Sequence, residues 1–449
     1  MNNMPLPPRI SIVTPSYNQM QYLEECIDSV LSQGYPNLEY VVMDGGSTDG
    51  SVEIIKKYAQ YLTYWQSCPD EGQYAAINAG FAHTSGKIMA WLNSDDRYHP
   101  NAFLKVSCAF SEHPKVNWLT GRATIFQQNG MLESLEKFTP QFSRRKMLFG
   151  HLDKPFIMQE ATFWRRELWD RCGGGLDTLY QLAADTELWM RFYRTDILYT
   201  LDALLAGFRK QGSNRSVHNI EKYHEEARAA ISRELSCLGA DAPFEPSPPP
   251  LKIPRDKFLD FSVAYDIPRF KPHHHNLREI YLQTVKEWIM GRKGGLESAS
   301  IFYDEIILWL DSVDYDLQSL KRCLQECLEL KQHAEMLIQK GETNFYCNDL
   351  DGALQATDEA LDIWPTSANG NNNMGVMLYH KGKLDKAIEH LVLVTQHDAS
   401  RREAYRNLAV IFHELGQRGN VQWAMEYYLS WFPEDTGMDS FYRRLLECP

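Results

Sequence analysis

The first hundred residues alternate short β-rich runs with helical patterns, and that alternation admits few folds. The runs are Ile10–Thr14 (ISIVT), Leu38–Met43 (LEYVVM), Leu62–Gln66 (LTYWQ) and Ile88–Leu92 (IMAWL). Between them lie amphipathic stretches at Tyr22–Leu31, Ser51–Tyr58 and Tyr74–Ala82. Strand, helix, strand at this spacing demands crossover connections, which are right-handed and generate a mainly parallel α/β sheet. Such sheets take ligands in the crevice outside the carboxyl ends of their strands. The chemistry is therefore expected directly after each run. There the chain reads TPSYNQ (14–19), DGGSTDGS (44–51), PDEGQ (69–73) and NSDD (93–96). One polar tip is ordinary turn chemistry, but four in succession point to a polar ligand held across the sheet edge.

Two of these tips carry recognisable chemistry. At the second, Gly45 and Gly46 permit tight backbone geometry, Ser47 or Thr48 can cap a helix, and Asp44 can accept hydrogen bonds from a nucleobase or ribose. A plain turn and cap would use the same residues. At the fourth, Asp95 and Asp96 are adjacent carboxylates, which repel unless a cation lies between them. Hard divalent ions take carboxylate oxygens together with substrate phosphates, so this pair reads as an anchor for Mn²⁺ or Mg²⁺ on a diphosphate. The competing reading is a solvated turn before Pro100.

In order and spacing, TPSYN, VVMDGGSTDGS, DEGQYAAINAG and WLNSDD resemble the signatures of family-2 glycosyltransferases of the GT-A fold, a Rossmann-like class. The resemblance covers about Ile10 to Arg215. It implies a nucleotide-sugar donor, most naturally a UDP-sugar, with Asp44 at the base and Asp95 and Asp96 around a divalent cation. It places Thr14, Pro15, Tyr17 and Asn18 along the nucleotide pocket. Gly45, Asp70, Gln73, Asn78, Asn93 and Ser94 join them as donor-binding positions.

Further along, QEATFWRRELWDRCGG (159–174) is similar to the segment after the family's acceptor-side strand. LAADTELWMRF (182–192) is similar to the helix whose leading acid is the catalytic base, and that match falls on Asp185. A carboxylate opposite the leaving diphosphate can take the proton of an attacking hydroxyl, and the expected outcome is inversion at the anomeric carbon. A structural role is open too, since an acid in a first helical turn complements the macrodipole. Glu160 is the second candidate base. Glu187 lies about 200° further round the helix. The sequence departs from the family in GFRKQGSNRSVH (207–218), where Gln211 stands at the place of an expected histidine. Either Gln211 offers an amide oxygen to the metal, His218 folds back to it, or the metal has fewer protein ligands. Arg209 and Arg215 are candidates for the diphosphate.

The rest of the chain is organised differently. Residues 240–254, ADAPFEPSPPPLKIP, hold six of the 21 prolines and read as an extended spacer. A helical connector is expected over 255–333. From 334 onward a 34-residue step aligns Gly341, Gly375 and Ala409. The same step aligns Asn348 with Gly382 and Gly416, Ala353 with Ala387 and Val421, Ala360 with Val394 and Tyr428, and Pro365 with Ala399 and Pro433. This resembles the tetratricopeptide repeat in about three copies. The implied organisation is a GT-A domain over 1–240, a linker over 241–254, the connector, and a repeat domain over 334–449.

Composition sets outer limits. Lys and Arg total 46 against 59 Asp and Glu, a net charge of -13, which disfavours a nucleic-acid partner. Nine scattered cysteines without zinc spacing read as reduced thiols of a cytoplasmic protein. Neither a secretory leader nor a spanning helix is expected, so membrane contact would be peripheral, at the inner face. The leading expectation is an inverting glycosyltransferase acting on a glycan, glycolipid or protein, with repeats that bind a protein partner or present the acceptor. The competing class is a non-catalytic scaffold. It predicts loss of the acids at the strand tips or helix start, yet Asp44, Asp95, Asp96 and Asp185 are all present.

Overall fold

A computed structural model describes residues 6–130, 132–135, 142–149, 157–212, 214, 219–237, 248–253, 255–265, 318–365, 367–397, 401–431 and 436–447. They form two compact bodies, divided between residues 265 and 318. The helical patterns at 278–290 and 302–313 lie outside the described residues.

The first body is built on a sheet of nine strands: β1 (Ile10–Ser16), β2 (Leu38–Asp44), β3 (Tyr64–Ser67), β4 (Ile88–Trp91), β5 (Arg97–Tyr98), β6 (Trp118–Gln127), β7 (Leu132–Leu135), β8 (Thr162–Arg165) and β9 (Tyr199–Lys210). Their order is β3-β2-β1-β4-β8-β6-β9-β5, with β7 paired to β6. From β3 to β4 the strands run parallel, as the alternation predicts. Beyond β4 the sheet is mixed: β8 pairs antiparallel with both β4 and β6, while β6 and β9 run parallel.

The chain leaves β1 toward β2 and β3, then returns to β4 on the other side. This makes the crevice between the ends of β1 and β4 the topological switch point, where open α/β sheets take ligands. Every residue of β1 is buried, as expected of a strand covered on both faces. The covering helix α1 (Met20–Leu31) buries Leu23, Cys26, Ile27, Val30 and Leu31, one stripe at helical spacing.

The helices α2 (Ser51–Tyr58), α3 (Gln73–Ala82), α4 (Ala102–Glu112), α5 (Arg144–Phe149), α6 (Arg166–Arg171), α7 (Ala184–Tyr193) and α8 (Ile220–Ser236) complete most of this body. Of the proline run, 240–247 and 254 lie outside the described residues, but Leu251 is packed. Leu251 donates its N–H to Thr200 at 2.7 Å and accepts from Asp202 at 2.9 Å, bridging onto β9. Helix α9 (Arg255–Ala264) then places Phe261 in the core. The first body therefore runs on through residue 265.

The second body is helical: α10 (Gln318–Tyr346), α11 (Leu350–Ile363), α12 (Ala368–His380), α13 (Leu384–His397), α14 (Arg402–Glu414), α15 (Arg418–Trp431) and α16 (Thr436–Glu447). The first six form three pairs, and the turn inside each pair passes through Asn348, Gly382 or Gly416 at φ of 62°, 75° and 70°. The same backbone conformation thus recurs at the 34-residue step. Ala353, Ala387 and Val421 are buried at corresponding places, as are Ala360, Val394 and Tyr428. Ala399 and Pro433 lie outside the described residues. No helix among the described residues is long and apolar enough to cross a membrane.

Candidate active site

The tips of β1 and β2 are stitched to each other. Asn18, at φ 50°, donates its N–H to Ser47 Oγ at 2.8 Å and accepts from the Thr48 N–H at 3.0 Å. Asp44 is buried, and its carboxylate is occupied by the protein. Oδ2 accepts from the N–H groups of Gly46 (3.1 Å) and Ser47 (2.9 Å) and from Ser67 Oγ (2.6 Å), while Oδ1 accepts from Ser47 Oγ. It shapes the turn before it meets any ligand, which is the turn-and-cap alternative.

Past this turn a narrow slot is left. A side chain at Gly45 would meet Asp70 Oδ2 at 3.1 Å and Tyr17 Cδ2 at 3.2 Å, so an exposed aromatic ring and an accepting carboxylate close around a glycine. A flat heterocycle with N–H donors matches such a slot. Three residues expected at the donor are engaged elsewhere. Thr14 turns into the core, where its hydroxyl pairs with Tyr40 Oη at 3.0 Å, and Pro15 is buried in β1 opposite Met43. Asn78 grips the backbone of Leu176, donating to its O at 2.9 Å and accepting from its N–H at 2.8 Å. It secures the loop before α7 and is not left open to a donor.

At the end of β4 the acids are braced from below. Asp96 Oδ1 accepts the N–H of Arg209 at 2.8 Å, and Oδ2 accepts from Asn93 at 3.3 Å. Asp95 Oδ2 accepts from Gln211 Nε2 at 2.6 Å and Asn214 Nδ2 at 3.3 Å. Asn93 also accepts from Gln73 at 2.7 Å, and Ser94 is buried between these groups in sequence. Burial raises the proton affinity of Asp95, offset in part by the Gln211 hydrogen bond and the charge of Arg209. Asp96 is held far above the usual carboxylate range by burial, then by repulsion from Asp95 and Glu160.

Arg209 is not offered to a diphosphate. Its guanidinium is 2% exposed and bonds the Asp95 carbonyl at 2.8 Å and Glu25 at 2.7 Å, with Tyr22 beneath it. Gln211 turns its amide N–H to Asp95 and so braces it. Glu160 is buried close enough to Asp96 to raise its proton affinity by repulsion. Arg215 and His218 lie outside the described residues.

Asp185 stands in the first turn of α7. One turn on, Trp189 stacks on Trp118 of β6 at 5.5 Å and on Trp91 of β4 at 6.2 Å, with Trp164 of β8 edge-on at 5.8 Å. Four buried indoles thus fix this helix against the strand that ends in the acid pair, each pair contributing on the order of 1 kcal/mol beyond burial. Asp185 is half-buried, and burial pushes its carboxyl up to about 6, against the hydrogen bond that it accepts from the Thr186 N–H at 2.7 Å. Glu187 faces away, paired with Arg191 and Arg233. A carboxylate with raised proton affinity at neutral pH is suited to act as a general base.

Sequence reasoning passed over several participants. Glu25 on α1 pairs with both Arg97 and Arg209; burial would raise it, but the two guanidiniums outweigh burial and hold its carboxyl below the usual range. Asn214 and Gln159 brace Asp95 and Asn93. Glu226 holds the loop before α7. Glu25 lies on the side of α1 away from the buried stripe of Leu23, Cys26, Ile27, Val30 and Leu31, so the helical pattern gave no sign of its role.

The donor set at β4 suits a hard divalent ion, since two crowded carboxylates of raised proton affinity are relieved by a cation. Among the described residues, no group of three or more His, Cys, Asp or Glu is placed to hold a metal.

Sequence comparisons with known proteins agree on one kind of protein. The family model "Glycosyl transferase family 2" matches residues 11–173. An uncharacterized glycosyltransferase of Mycobacterium tuberculosis is 34% identical over 188 residues, covering 41% of this chain and 68% of its own length. Chondroitin synthase of Pasteurella multocida is 26% identical over 241 residues, 51% of this chain and 23% of that protein. The structure of S. aureus TarS 1–349 in complex with UDP-GlcNAc aligns over 88% of this chain and 93% of that one, at 14% identity and a TM-score of 0.42.

Proposed function

Since the chain belongs to glycosyltransferase family 2, we propose that it is an inverting enzyme that moves a sugar from a UDP-sugar to a hydroxyl acceptor. The acceptor is a cell-surface glycan, a glycolipid or a protein, and the similarity to a chondroitin synthase fits a glycan. The helical body, read as tetratricopeptide-type repeats, binds a protein partner or presents the acceptor. The enzyme works in the cytoplasm, at most peripherally on the inner membrane face.

In this reading Tyr17, Gly45 and Asp70 receive the base. Asp95 and Asp96 would hold Mn²⁺ or Mg²⁺, which would neutralise charge on the diphosphate. The acceptor oxygen attacks the anomeric carbon from the face opposite the diphosphate, and its proton passes to Asp185. The bond from that carbon to the diphosphate oxygen breaks, and the electron pair leaves with the diphosphate. One carboxylate suffices because the leaving group needs no acid.

The observation that carries the reading is the contrast between two acidic environments. Asp95 and Asp96 are crowded and braced by amides and Arg209, whereas Asp185 stands apart on α7 with its carboxyl raised to about 6. Isothermal titration of UDP, GDP and TDP, each with and without Mn²⁺, tests it. UDP is expected to bind most tightly, with Mn²⁺ strengthening binding in the parent but not in Asp95→Asn. Metal-independent binding of all three nucleotides, or none, contradicts the proposal.

A further inference from the structure

Helix α7 begins without a cap of its own, because Ala183 at its N-cap brings no side-chain oxygen. The chain that leads into it is held instead from α8. Glu226 Oε2 accepts three successive backbone N–H groups, those of Gln181 at 2.9 Å, Leu182 at 2.8 Å and Ala183 at 3.1 Å. These are charge-assisted bonds to the backbone two to four residues ahead of Asp185. Just beyond Asp185, Tyr223 Oη of the same helix lies 3.1 Å from Thr186 Oγ1, both buried. Helix α8 thus grips the chain on either side of Asp185.

An amide or hydroxyl oxygen could accept such bonds. A carboxylate adds charge, and a like charge disfavours ionisation of its neighbour. On α8, the groups toward this corner are Tyr223 and Glu226, with Lys222 engaged by the Gln181 side chain and Arg233 by Glu187 and Asp177. On α7, Glu187 is committed to Arg191 and Arg233. In the loop before α7, Tyr180 lies over Arg233. Glu226 is therefore the negative charge near Asp185 that is held by backbone N–H groups and not by a cationic side chain.

We propose that Glu226, assisted by Tyr223, is a positioning residue for the base: it fixes the backbone on which Asp185 stands and places a second negative charge beside it. The inference rests on the assignment of Asp185 as base.

A substrate-free test uses thermal melting of the full chain across pH. The Asp185 carboxyl is raised from 3.8 to about 6, so the stability that its proton provides is full below 3.8 and is lost as pH rises through about 6. Asp185→Asn stands in for the protonated form. Its melting temperature is expected to gain on the parent over that interval and then level off. In a Glu226→Gln background, which keeps an acceptor but removes the charge, the gain is expected to be smaller and centred at lower pH. An identical gain and midpoint overturn the proposal.

The positioning role is read from UDP release with a panel of UDP-sugars. Glu226→Ala is expected to lower kcat about tenfold or more with UDP affinity unchanged, and Glu226→Gln to restore most of it. A Glu226→Ala protein with parental kcat overturns it, and if that variant does not fold the Glu226→Gln melts decide. A dead Asp185→Asn beside unaffected Glu226 variants defeats this inference alone, whereas a fully active Asp185→Asn defeats the base assignment and this inference with it.

Discussion

Asp95 and Asp96 are chain neighbours with different surroundings. Asp96 is buried and takes the N–H of Arg209, whereas Asp95 is braced by Gln211 and Asn214. Both depend on Arg209, and Arg209 depends on Glu25. Removing one partner from such a network leaves uncompensated buried charge, in this case two arginines. Glu25→Ala is therefore expected to cost about 3–5 kcal/mol in urea denaturation. A cost below about 1 kcal/mol, the range of a surface pair, would mean that the network does not hold the acid pair.

The acids themselves were legible because they follow strand ends, where topology puts ligands. Their supports were not. Arg209 and Gln211 lie 114 and 116 residues from Asp95, and Glu226 lies 43 to 45 residues from the backbone that it holds. Glu25 and Glu226 are ordinary helix acids by sequence, and only the fold gives them partners. The same blindness made Arg209 look like a diphosphate ligand and Asn78 like a donor contact.

Among the elements, β1 to β4 were readable from alternation because each strand is short, apolar and closed by a polar tip. The later strands were not, since β6 and β9 pair in parallel across some 80 residues that include antiparallel β8. In the helical body the 34-residue step was readable from its turns, because a left-handed backbone selects Gly or Asn. Two substitutions separate conformation from packing there. Gly416→Ala meets nothing within 4 Å, so only its φ of 70° matters, and it should cost about 1 kcal/mol. Gly375→Ala puts a Cβ 2.6 Å from Leu391 Cγ, and overpacking should cost about 1–3 kcal/mol although it removes a glycine from a helix. Denaturation followed by circular dichroism checks both; a negligible cost at Gly375 would mean that α12 and α13 are not closely packed there, and a negligible cost at Gly416 that its turn is not held left-handed.

Among the described residues each body has its own principal core, one around the sheet and one running through the helix pairs. Separate cores imply separable unfolding, and a ligand stabilises only the body that it binds. Calorimetry with UDP and Mn²⁺ should raise one transition, by about 2.7 kcal/mol at a hundredfold excess over Kd, and leave the other unmoved. Equal movement of both would contradict a donor site confined to the first body.

If Asp185 is the base of a UDP-sugar transferase, its titration must govern turnover, and the pH dependence of UDP release in the parent and in Asp185→Asn reports that. Below about pH 6 the parent's rate should fall as Asp185 takes up a proton, in line with its raised carboxyl. Asp185→Asn should bind UDP as the parent does and lose about 10²–10⁴-fold in turnover, with that acidic limb gone. A variant that keeps the parental rate and the same acidic limb would contradict the account.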